Sequence, residues 1–76
     1  MDSDLQRFLE RLAEVLEVPS VSLEDDFRAV PMWSSMTGFA VMVMFDLDYE
    51  RGLTADELKK KSTVRDLAKA AGVLEA

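Results

Sequence analysis

Seventy-six residues without a cysteine or a histidine exclude disulfides, thiolate nucleophiles, zinc sites of the usual ligand types and histidine acid/base chemistry. So short a chain has room for one domain, residues 1–76, near the lower limit at which an apolar core holds without staples. Fifteen acidic against nine basic residues leave a net charge of −6, which disfavours nucleic acid and anionic membrane as partners and favours a basic protein surface.

Ser3 and Gln6 form a capping-box pattern, and Leu5, Phe8, Leu9, Leu12, Val15 and Leu16 recur at helical spacing, which predicts a first helix from about Asp4 to about Glu17. Pro19, Ser20 and Ser22 break that pattern. The stretch to Trp33 is longer than most loops, so its apolar residues Val21, Leu23, Phe27 and Val30 are expected to pack on the bundle. A second helix starts at Ser34 or Ser35 and runs to about Glu50, with Gly52 as the expected C-cap. Thr54 and Glu57 cap a short third helix near Asp56 to Lys60. Thr63 and Asp66 open a fourth, which turns Val64, Leu67, Ala68 and Ala71 inward and stops at Gly72. Four helices and no strand signal predict an all-α fold, a small four-helix bundle with a long first connection and a short third helix.

From Met36 to Leu47 the second helix is apolar almost all round, more than three neighbours in a small domain can cover. Val41, Phe45 and Tyr49, with Met42, are the expected core positions. Met36, Phe39, Ala40, Val43 and Leu47 are then either further core or an apolar patch beside the serine pair. Met42 and Met44 suit an adaptable pocket or simple gap-filling. Gly38 inside the helix implies a close approach by another backbone or by a ligand arm. Lys59, Lys60 and Lys61 read as a solvated run that complements the dipole at the end of the third helix.

On their own, Ser34 and Ser35 are most simply a helix N-cap. A hydroxyl at that position also sits among unpaired N–H groups at the positive end of a helix dipole, a place suited to a phosphate. The layout around it resembles the acyl carrier proteins. With Ser35 on that family's attachment serine, Phe27 matches the aromatic of the preceding loop and Met36 the leucine of the Asp-Ser-Leu motif. Tyr49 matches the phenylalanine that closes the second helix, and the run from Thr63 to Leu67 the Thr-Val-x-Asp start of the last, without a gap from Phe27 to Leu67.

The resemblance implies a carrier-protein bundle with no catalysis of its own. In it, Ser35 would bear 4′-phosphopantetheine from coenzyme A and carry acyl intermediates as thioesters, in fatty-acid, polyketide or related specialised biosynthesis. The implied partners are a phosphopantetheinyl transferase and acyl-transfer and condensing enzymes, visited by a monomer. Two departures stand out. Ser34 replaces the aspartate that in relatives helps hold the transferase's magnesium, and Thr37, Ala40 and Leu47 stand where acidic docking residues are expected. Docking is therefore expected to rest on apolar contact through Trp33, Met36, Thr37, Phe39, Ala40, Val43 and Leu47. For Trp33 the alternative is packing under the long loop.

An unmodified interaction module is the competing reading. A peptidyl carrier is a closer variant, but Met32 and Trp33 replace its glycine pair. The acidic N-terminus, Met1 to Asp4, lacks a secretory layout and no apolar run is long enough to span a bilayer, so the expected location is the cytoplasm.

Overall fold

The computed structural model describes residues 2–74, with side chains from Asp4 onward. Four α-helices follow one another: α1 (Asp2–Leu16), α2 (Ser35–Tyr49), α3 (Ala55–Lys60) and α4 (Val64–Ala71), with a 3-10 turn at Phe27–Ala29 inside the first connection. Among the described residues no strand forms, and the one extended pairing is an isolated bridge between Asp26 and Thr63. A radius of gyration of 11.0 Å matches the value of about 11 Å expected for a compact domain of this length.

The core is assembled from one face of each long helix. Phe8, Leu12 and Leu16 of α1 meet Val41, Met44 and Phe45 of α2 and Val64, Leu67 and Ala68 of α4, all withdrawn from solvent. Phe8 meets the Phe45 ring edge-on at 6.1 Å and the Tyr49 ring at 5.6 Å. Burial and the neighbouring Asp48 carboxylate push the Tyr49 hydroxyl pKa up. Arg11 ties α1 to α2 through Asp48 at 2.9 Å, which offsets an acid placed at the wrong end of the α2 dipole.

The expected loop anchors do pack inward. Phe27 is fully buried, and Val21, Leu23 and Val30 lie against the core. The connection is pinned to the start of α4, where the Val64 N–H donates to the Asp25 carbonyl at 2.9 Å and the Arg65 N–H to the Leu23 carbonyl at 2.8 Å. Those bonds, with a Thr63–Asp66 capping box, occupy the N–H groups that open α4. Thr54 and Glu57 form the second box, at α3. The donated backbone hydrogen bonds hold the Asp66 and Glu57 carboxyls below their ordinary pKa values.

Two boundary expectations need correction. α1 starts at Asp2 rather than Asp4, and the Ser3 side chain of the proposed first capping box lies outside the described residues. α2 is not capped by Gly52. It ends one turn's fraction earlier, at Glu50, whose left-handed backbone (φ 53°, ψ 38°) sends its N–H to the Phe45 carbonyl. α1 ends the same way at Glu17, φ 61°, where the Val18 N–H reaches the Ala13 carbonyl. Only at Gly72, φ 83°, does a glycine take this role as expected.

Candidate functional site at the start of α2

Ser34 and Ser35 stand in different environments. Ser34 is the N-cap, in extended backbone, and its Oγ accepts the Thr37 N–H at 3.4 Å. Its carbonyl accepts the Gly38 N–H at 3.0 Å. The Thr37 hydroxyl donates to the Met32 carbonyl at 2.8 Å, so the 3.3 Å contact between the two hydroxyls leaves Ser34 as its donor. The Ser34 hydroxyl is thus engaged both as donor and as acceptor.

Ser35 is the first residue of α2 and is exposed. Among the described residues, neither its N–H nor that of Met36 has a hydrogen-bond partner. No acidic side chain lies in the first turn of α2, whereas Asp56 and Glu57 open α3 and Asp66 opens α4. The positive end of the α2 dipole therefore faces solvent uncompensated by the chain itself.

Beside Ser35 a cleft of about 310 Å³ runs between α2 and α3, walled by Trp33, Gly38, Phe39, Met42 and Leu58, with Arg28 and Lys59 adding positive charge. Trp33 is half-buried and packs edge-on against Phe27 at 5.6 Å, so it lies under the loop as the alternative reading had it, while still lining the cleft. The atoms nearest Gly38 belong to side chains rather than to another backbone. A Cβ placed there would meet the Trp33 indole at 3.5 Å and Leu58 at 3.6 Å, which is ordinary contact.

Of the other expected patch residues, Met36, Phe39 and Leu47 are 79, 62 and 70% exposed, Val43 is exposed at its margin, and Ala40 is half-buried. Thr37 is a correction: it is buried, because its hydroxyl is needed at the Met32 carbonyl, and it presents nothing to a partner. Met44 fills the core, the gap-filling role it was expected to suit, whereas Met42, expected in the core, packs against it only in part and lines the cleft.

Arg28 carries a role that local sequence does not signal. Its guanidinium donates to the Leu58 carbonyl at 3.1 Å and to the Lys61 carbonyl, satisfying the end of α3, and it lies over the Phe27 ring at 4.8 Å. The loop, α3 and the cleft are thereby held as one piece.

Among the described residues no helix is long and apolar enough to cross a membrane. The chain matches no family model, no curated protein and no solved structure.

Proposed function

We propose that this chain is an acyl carrier protein whose Ser35 is esterified by 4′-phosphopantetheine. One observation carries the reading: Ser35 opens α2 with an exposed side chain beside two unpartnered N–H groups, while Ser34 alone does the capping. A phosphodiester there would meet the positive end of the dipole, which the chain leaves without an acid of its own. The residues fit the group in a second respect, since an apolar-walled cleft begins at the same serine.

In the loading reaction the Ser35 hydroxyl attacks the pyrophosphate of coenzyme A in a transferase site. A new O–P bond forms, the bond to the nucleotide half breaks, and the serine proton passes to a base of the transferase. Once bound, the arm supplies a terminal thiol on which acyl groups travel as thioesters. This chain's own part is to hold the attachment point on a rigid helix and to present Met36, Phe39 and Leu47 to each enzyme it meets.

The second reading, an unmodified interaction module, is favoured by Ser34 in place of the family's aspartate and by an apolar face that stands whether or not Ser35 is modified. A mass increase on treatment with coenzyme A, magnesium and a transferase, abolished by Ser35→Ala, separates the two.

A further inference from the structure

Met36 and Leu47 stand about three turns apart and so lie in line along α2, as do Ser35 and Asp46 on the flank beside them. Phe39 and Val43 fill the stretch between Met36 and Leu47, and all four apolar side chains are exposed. At one end of this stripe stand the unpartnered N–H groups of Ser35 and Met36, with the exposed Lys59 across the cleft and no acid in the first turn. At the other end Asp46 and Glu50 are exposed, with no base in the last turn and, among the described residues, no ion pair. One face thus carries a positive end, an apolar middle and a negative end.

Such a face is complementary to itself turned end for end. A two-fold axis level with residues 41 and 42 sets Met36 against Leu47 of the other copy and Phe39 against Val43. It also keeps like flanks together, so Asp46 comes to the start of the opposing α2, near Ser35, and the two helix dipoles run antiparallel. The four side chains expose about 500 Å² per copy, and with their polar flanks they reach the low end of the about 1,200–2,000 Å² buried in a specific interface. A net charge of −6 on each copy opposes the approach and holds the association weak and reversible.

We propose that α2 is a self-association face, on which a second copy of this chain packs antiparallel through Met36, Phe39, Val43 and Leu47 with Asp46 over the opposing helix start. The inference does not depend on what Ser35 carries. Under the carrier reading the same side chains meet the enzymes, so self-association and enzyme docking exclude each other.

The test begins with sedimentation velocity of the unmodified chain from about 10 μM to about 1 mM, expected to move from the 8.5 kDa monomer toward a dimer. Leu47→Lys should weaken dimerisation about tenfold or more. Asp46→Lys should weaken it too, although it reduces the net charge of −6 by two units and would strengthen any association limited by repulsion alone. Because the chain has no cysteine, orientation is read by mixing Met36→Cys with Leu47→Cys, oxidising with diamide and weighing the products. The mixed disulfide should exceed its statistical share. All four substitutions replace exposed side chains, and circular dichroism checks that each variant keeps its helices. A monomer at every concentration, dimerisation undiminished in Leu47→Lys or in Asp46→Lys, or a mixed disulfide at or below its statistical share overturns the inference. None of these results touches the carrier reading, which stands or falls on the adduct at Ser35.

Discussion

Arg28 donates to the Leu58 carbonyl at 3.1 Å, across thirty positions of sequence, and the same guanidinium covers the Phe27 ring. A hydrogen bond to a charged group contributes about 1.5–3 kcal/mol. Arg28→Ala should therefore lower stability by about 2 kcal/mol, read from the urea midpoint, and should increase hydrogen exchange in α3 before the other helices. Arg28→Lys should recover less than half of the loss, because an ammonium cannot span both carbonyls while lying over the ring.

Two neighbouring serines should respond differently to the same substitution. Ser34→Ala removes the N-cap acceptor and should cost about 1 kcal/mol, within the usual range of about 0.5–2 kcal/mol. Ser35→Ala touches an exposed side chain and should change stability by less than about 0.5 kcal/mol. Thermal unfolding of the two variants side by side checks this, and equal losses would remove the distinction on which Ser35 was chosen.

The left-handed Glu50 carries a strain that a glycine would relieve. An L-residue in that conformation costs roughly 1–2 kcal/mol, partly offset by the greater freedom glycine loses on folding. Glu50→Gly should stabilise the protein by about 0.5 kcal/mol, whereas Gly52→Gln, at a position with open space around it and no positive φ, should be close to neutral. Denaturant midpoints of both variants decide which residue is the cap.

Acid should weaken the protein through the two capping boxes. Asp66 and Glu57 have folded pKa values below their ordinary ones because backbone N–H groups bond the charged carboxylates. A depressed folded pKa gives stabilisation that is complete above the unfolded value, about 4, and is lost as pH falls through the folded one. Stability should accordingly be flat from neutral pH to about 5 and decline below about 4. Asp66→Asn should be less stable at neutral pH and show a shallower acid decline, measured by urea unfolding at stepped pH.

What could be read from the chain was what local chemistry encodes. The capping boxes of α3 and α4, the inward face of α1 and the stop at Gly72 depend on residues within a few positions of one another, and these formed as expected. The role of Arg28 was invisible because its partners, Leu58 and Lys61, lie far along the chain. On α2 periodicity failed for a different reason. Apolar residues occupy every side, so only the positions of α1 and α3 decide that Met44 is core and Met42 lines the cleft. Thr37 looked like a surface residue, and only the folded path of the loop supplies the Met32 carbonyl that buries its hydroxyl. The serine pair was legible as a helix start, but which of the two exposed serines caps it required the backbone itself.

Intact-mass analysis of wild type, Ser34→Ala and Ser35→Ala after incubation with coenzyme A, magnesium and a broad-specificity phosphopantetheinyl transferase tests the central claim most directly. The account predicts a phosphopantetheine adduct on wild type and Ser34→Ala and none on Ser35→Ala. An adduct missing only from Ser34→Ala would move the site by one residue, and no adduct on the folded wild type, repeated with a transferase from the source organism, would contradict the carrier function.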